Sequence, residues 1–122
     1  MGAGLAGAIR KKWPRVYLEY RSRYDRGGLK LGTIQPILVS GGIIVVNLMA
    51  QYYYGRRKDI IYTNYNALGQ CLSALRECHQ AVVPAWPVYL PFKIGCGLAN
   101  GDWEVVMQII DSKLPYAIIC KK

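Results

Sequence analysis

Apolar residues recur at three- and four-residue steps along the start of the chain, at Leu5, Ile9, Trp13, Val16 and Tyr20. That period predicts an amphipathic helix from Ala3 to about Tyr24. Pro14 removes a backbone donor inside the run, so the helix is expected to bend or break near Trp13. The pattern then changes period. Two β-branched runs, Thr33 to Val39 and Ile43 to Met49, flank Ser40-Gly41-Gly42 and predict an antiparallel hairpin. Pro36 puts its first strand at a sheet edge or a bulge. After a polar and aromatic loop from Tyr52 to Asp59, Thr63 is placed to cap a helix carrying Tyr65, Leu68, Leu72 and Leu75 on one face. Val88 to Phe92 reads as a short buried strand ending in Lys93-Ile94-Gly95-Cys96-Gly97. A helix from about Asp102 to Ser112 follows, with Trp103, Val106, Met107 and Ile110 inward. Pro115 closes it, and Tyr116 to Cys120 makes a last strand. Helix, hairpin, helix, strand, helix, strand predicts an α/β sandwich with a mixed sheet covered on both faces. With no repeat and no linker, residues 1–122 are expected to form a single domain.

Composition narrows the functional classes. A chain of 122 residues that is 52% apolar and 19% charged supports one packed core and excludes disorder as a description of the whole. Lys and Arg number 16 against 7 Asp and Glu, so the net charge of +9 favours anionic partners: nucleotides, phosphates, nucleic acid or acidic lipid. Half of the cations fall early, at Arg10, Lys11, Lys12, Arg15, Arg21, Arg23, Arg26 and Lys30. A solvated face explains such a run, and so does affinity for nucleic acid with a large salt-dependent component.

The longest apolar stretch, Ile43 to Ala50, is under half of the roughly 20 residues that span a bilayer. The chain start lacks the basic-then-apolar order of a signal peptide and, with Ala6 where a hydroxyl is needed, the myristoylation pattern. A cytoplasmic protein with no membrane partner is the expectation. Cys71, Cys78, Cys96 and Cys120 include no CxxC pair and have only His79 beside them, so no metal site is predicted and the thiols are expected to be free. His79 itself, near a helix end, is expected at the surface.

Two glycine segments carry candidate chemistry. Gly2-Ala3-Gly4-Leu5-Ala6-Gly7 fits GxGxxG, whose glycines allow a tight turn and close approach of backbone to a pyrophosphate. No strand precedes it and Glu19 lies inside the predicted helix, which argues against a dinucleotide dehydrogenase and leaves close helix packing as the alternative use of the small residues. Gly95-Cys96-Gly97-Leu98 joins a buried strand to a helix, where backbone N–H groups can converge on an anion, or simply turn the chain. Tyr52-Tyr53-Tyr54 beside Arg56, Arg57 and Lys58 could stack a base or form a partly buried loop. No cofactor is implied.

Taken together, these segments resemble a known family. Gly2-Ala3-Gly4-Leu5-Ala6 with a basic helix and Trp13-Pro14, then Leu31-Gly32-Thr33, Thr63-Asn64-Tyr65, Leu90-Pro91, and Ile94-Gly95-Cys96-Gly97-Leu98 with Trp103, are similar to a macro domain. The likeness is to the branch of the ADP-ribosyl-glutamate hydrolase and the ADP-ribose phosphate phosphatase, with small bacterial or phage relatives. It implies a three-layer sandwich binding ADP-ribose, free or on a macromolecule. Gly2, Ala3, Gly4, Leu5 and Ala6 would wrap the distal ribose and diphosphate. Gly95, Cys96, Gly97 and Leu98 would cradle the diphosphate from the other side, and residues 50–54 would border the ribose end or the adenine.

Two departures from the family pattern shape the functional expectation. Family members begin with further strands, one of them interior to the sheet, and this sequence starts after them. Unpaired backbone in a sheet interior is costly, so either more coding sequence precedes Met1 or a second chain, as in a homo-oligomer, completes the sheet. The family's strand-borne catalytic Lys has no counterpart in Asn47 to Gln51, and Ala99 stands where its Asp follows the glycine loop. Asp102 is then the candidate catalytic carboxylate, able to orient water or act as general base; a helix N-cap is the other use of an Asp there. The expected function is binding of ADP-ribose with hydrolysis of an ADP-ribosyl ester or of ADP-ribose phosphate. The alternative is a non-catalytic ADP-ribose or nucleic-acid binding module.

Overall fold

A computed structural model describes residues 4–27, 30–50, 64–92, 94 and 101–120, with backbone alone for 4–7. The chain divides into two compact units, Met1–Lys30 with Ile34–Asn47, and Leu31–Thr33 with Leu48–Lys122.

In the first unit the predicted helix is two, α1 (Gly4–Lys12) and α2 (Pro14–Asp25). The break falls at Trp13, at φ −130° and ψ 79°, with Pro14 opening α2. A first-turn N–H has no intrahelical acceptor, so proline loses nothing there. The Trp13 N–H donates back to the Ile9 carbonyl at 2.7 Å, and the Val16 N–H to the Trp13 carbonyl at 3.0 Å. Strands β1 (Ile34–Val39) and β2 (Ile43–Leu48) pair as neighbours. A three-residue connection permits only the antiparallel arrangement, and it turns through Gly41 and Gly42, both left-handed at φ 84° and 70°. Two consecutive left-handed residues exclude most side chains. Pro36 is exposed within β1.

Hydrogen bonds tie α2 to this hairpin along its length. The Gln35 amide donates to the Glu19 carbonyl (3.1 Å), Asn47 donates to Gln35 Oε1 across the strands (3.1 Å), and Arg15 reaches the Leu38 carbonyl (3.0 Å). Beneath these bonds Val16, Ile37 and Val39 form the buried core, flanked by Ile9, Trp13 and Val45.

In the second unit α3 (Tyr65–Val82) and α4 (Trp103–Lys113) pack together. α3 buries Leu68, Cys71, Leu72 and Leu75, α4 buries Val106 and Ile110, and Leu114 is buried just beyond. The expected cap of α3, Thr63, lies outside the described residues. Asn64 fills the N-cap position, its side-chain oxygen accepting from the Ala67 N–H at 2.9 Å, and asparagine is as good a cap as any residue. Gly69 is buried in α3, where an added Cβ would meet Ile109 Cγ2 at 3.7 Å and Lys113 Cε at 3.9 Å, both ordinary contacts. Gly69→Ala is therefore expected to stabilise the protein by about 0.5–1 kcal/mol through helix propensity, read as a raised thermal midpoint.

The remaining strands, β3 (Tyr89–Pro91) and β4 (Ile118–Cys120), pair in parallel with Leu90 opposite Ile119. A parallel pair needs a crossover, and α4 provides it. Leu90 is buried, while the register partners Tyr89 and Ile118 are 60% and 46% exposed on the other face. The mixed sheet of the sequence reading is thus represented, among the described residues, by an antiparallel pair in one unit and a parallel pair in the other. No helix among the described residues is long and apolar enough to cross a membrane.

The structure corrects the placement of His79, which is buried. Its Nε2 lies 2.6 Å from the Trp86 carbonyl and its Nδ1 3.2 Å from the Tyr116 hydroxyl. A carbonyl can only accept, so Nε2 carries the proton and Nδ1 accepts from Tyr116. The ring also stacks on Tyr116, centroids 5.4 Å apart. His79→Ala would open a void and leave both partners to water; a loss of about 2 kcal/mol is expected in chemical denaturation, from lost packing and hydrogen bonds together.

Candidate functional site at the junction of β3 and α4

The carboxyl end of a parallel strand, running into a helix N-terminus, is where α/β folds place ligands. In the second unit that place is the passage from β3 to α4, and its two ends are fixed. At the strand end, the Phe92 N–H donates to the Cys120 carbonyl at 3.0 Å and the Ile94 N–H turns back to the Pro91 carbonyl at 3.2 Å. At the helix end, Trp103 meets Phe92 edge-to-face with centroids 5.1 Å apart. This contact pins the first residue of α4 to the residue that follows β3.

Asp102 is the N-cap of α4. Its Oδ1 accepts from the Glu104 N–H at 2.9 Å, and its own N–H donates to the Tyr65 hydroxyl at 2.9 Å. Tyr65 opens α3, so one phenol ties the N-termini of α3 and α4 together. Sequence reading assigned Tyr65 to the apolar face and missed the hydroxyl. The available signal was a tyrosine at the start of a face otherwise made of leucines. Asp102 is exposed and stands where the loop enters the helix, the position expected of it, with one carboxylate oxygen engaged in capping.

The other predicted site residues are placed only in part. Gly95, Cys96, Gly97 and Leu98 lie outside the described residues, as do Gly2, Ala3 and the Tyr52–Lys58 loop. Gly4, Leu5 and Ala6 form the first turn of α1, so the helix N-terminus falls within the first glycine segment. Among the described residues no cluster of three His, Cys, Asp or Glu could hold a metal.

Cys71 offers no nucleophile. Its thiol donates to the Thr33 carbonyl at 3.3 Å, and burial pushes it up, partly offset by the backbone of Met49 and Gly32. The thiol stays protonated. Gly32 itself is left-handed at φ 85°, and a Cβ there would strike the Gln70 amide. Cys78 and Cys120 are also free. A groove of about 730 Å³ runs along α3 and α4 past Asn66, Gln70, Ser73, Gln108 and Ser112. Its lining mixes these amides and hydroxyls with Glu77, Lys113, Val105 and Ile109, and Tyr65 is its link to the junction.

No protein-family model matches the chain. It is similar to a solved protein of unknown function from Bacteroides thetaiotaomicron, 32% identical with a TM-score of 0.84, covering 97% of this chain and 76% of that one. It is similar also to a macrodomain protein from Streptomyces coelicolor (24% identical, TM-score 0.76, 99% and 80% covered) and to the macrodomain of Mycobacterium tuberculosis DarG (19%, 0.78, 98% and 78%). An uncharacterised 17.5 kDa protein from the tk-vs intergenic region of Enterobacteria phage T4 is 27% identical over 126 residues, covering 98% of this chain and 77% of its own. The fold is that of a macro domain. The chain belongs to one family with the Bacteroides protein.

Proposed function

We propose that the chain binds ADP-ribose, free or attached to a macromolecule, and hydrolyses an ADP-ribosyl ester or ADP-ribose phosphate. One observation carries this reading: in the sequence, Gly95-Cys96-Gly97-Leu98 falls between a parallel strand and a helix whose N-cap Asp102 is held by the first residue of a second helix. In this proposal the loop's backbone N–H groups receive the diphosphate, aided by the partial positive charge of the α4 N-terminus. In the same proposal Gly2 to Ala6, the last three of them in the first turn of α1, contact the distal ribose.

For the hydrolytic step, Asp102 accepts a proton from water as the water oxygen bonds to the carbon or phosphorus bearing the leaving group. The bond to the leaving oxygen breaks: attack at the ribose carbon expels the carboxylate or phosphate, whereas attack at phosphorus expels the ribose oxygen, which takes up the proton from Asp102. The missing family lysine leaves this carboxylate as the base that the sequence offers.

Calorimetric titration with ADP-ribose at moderate salt tests the binding claim. Micromolar affinity, with AMP and ribose 5-phosphate each far weaker, is the expected result, since either fragment forfeits half of the diphosphate contacts. Absence of heat at millimolar ADP-ribose would overturn the proposal.

A further inference from the structure

The basic segment at the start of the chain folds into a surface that the nucleotide reading does not use. α1 and α2 carry Arg10, Lys11, Lys12, Arg15, Arg21 and Arg23 with Glu19 and Asp25 as the opposing charges. Both acids sit in ion pairs on α2 itself, Arg15 with Glu19 at 3.0 Å and Arg21 with Asp25 at 3.2 Å. The apolar side of these helices, Ile9, Trp13 and Val16, faces the core. Along a different side the cations lie on aromatic rings. The Arg10 guanidinium is 3.6 Å from the centre of the Tyr17 ring, and that of Arg21 is 5.1 Å from Tyr24. Tyr17 and Tyr24 are seven residues apart, so they share one side of α2 two turns from each other. Tyr24 is 55% exposed.

We propose that this side of the first unit, Arg10, Tyr17, Arg21 and Tyr24 with exposed Arg26 beyond, binds single-stranded nucleic acid. A guanidinium placed over a ring can still donate to a phosphate oxygen through its N–H edge, and at Arg21 a phosphate would compete with the Asp25 carboxylate, 3.2 Å from Nε. The exposed ring face of Tyr24 is a stacking platform for an unpaired base. Two helical turns measure about 10.5 Å, the length of about three nucleotides at 3.4 Å per strand residue. A duplex buries its base faces in its own stack, so the tyrosines would add nothing to it. An acidic membrane would need an apolar helix face to insert; here that face is in the core, and Leu18 is the exposed aliphatic residue of α2.

Fluorescence anisotropy with a short labelled oligothymidylate and the full chain is the test. Three phosphate contacts, at Arg10, Arg21 and Arg26, predict a slope of log affinity against log salt of about −2 for a single strand, and Arg10→Ala with Arg21→Ala should reduce its size by about 1.4. Tyr24→Ala should weaken binding about five- to a hundredfold with little change in slope. Tyr24→Leu keeps bulk and helix but not the π face, and should behave alike if the alanine variant fails to fold.

Wild-type affinity in both Tyr24 variants would overturn the proposal in favour of diffuse charge. So would equal affinity for a duplex of the same sequence, or stronger association with phosphatidylserine vesicles than with the oligonucleotide. Full displacement of the oligonucleotide by ADP-ribose would place it in the nucleotide cleft, and would also overturn the assignment.

Discussion

Gly97→Glu is expected to raise the dissociation constant for ADP-ribose by two orders of magnitude or more, leaving the thermal midpoint near that of the wild type. The ends of its loop are fixed by contacts that the substitution does not touch. Trp103 rests on Phe92, and the Tyr65 hydroxyl holds the Asp102 N–H. The change should therefore stay local to the loop. Its carboxylate would stand against the proposed diphosphate, and two unit charges about 4 Å apart repel by about 4 kcal/mol at an effective dielectric of 20. Each 1.4 kcal/mol is about tenfold in affinity, so about 2.8 kcal/mol of that repulsion suffices for a hundredfold loss. Gly97→Ala brings bulk without charge and should cost about tenfold. Undiminished binding by the glutamate variant would place the diphosphate elsewhere, and with it the cleft.

Much of this fold is legible in the sequence because burial enforces a period. Leu68, Leu72 and Leu75 mark α3, Val106 and Ile110 mark α4, and all five are buried. The Trp13-Pro14 break follows from a missing donor, and the hairpin from two adjacent glycines that the turn drives to positive φ. What escaped were features decided by side-chain reach. The sequence reading puts the cap at Thr63, whereas Asn64, a stronger cap residue, holds the Ala67 N–H. His79 reads as a polar residue next to Cys78, yet it continues the spacing of Leu72 and Leu75 and so turns inward. It finds a carbonyl and a hydroxyl that make its burial affordable. At the site, Asp102 and Trp103 are legible as a helix start, whereas the Tyr65 bond across 37 residues is not. No local pattern encodes it. The role proposed for Gly95 to Leu98 rests on likeness to a family, since spacing alone suits an anion cradle and a plain turn equally.

Asp102 serves two purposes in this account, and a pair of substitutions separates them. Asparagine caps a helix as well as aspartate does, so Asp102→Asn should keep the bond to the Glu104 N–H and the thermal midpoint. It cannot accept the proton of an attacking water. Turnover of an ADP-ribosyl ester should then fall about a hundredfold or more, the usual range for losing a positioned acid–base group, with little change in KM because the loop still holds the diphosphate. Asp102→Ala should lose the same activity and also about 1 kcal/mol of stability with its cap.

Tyr65→Phe provides the third comparison. It leaves the carboxylate in place but removes the hydroxyl that receives the Asp102 N–H at 2.9 Å. A partial loss of turnover, with its pH profile unmoved, is expected of a group that positions the base and is not one itself. If Asp102→Asn turns over substrate at the wild-type rate, the carboxylate is a cap alone, and the base belongs to another residue of the cleft.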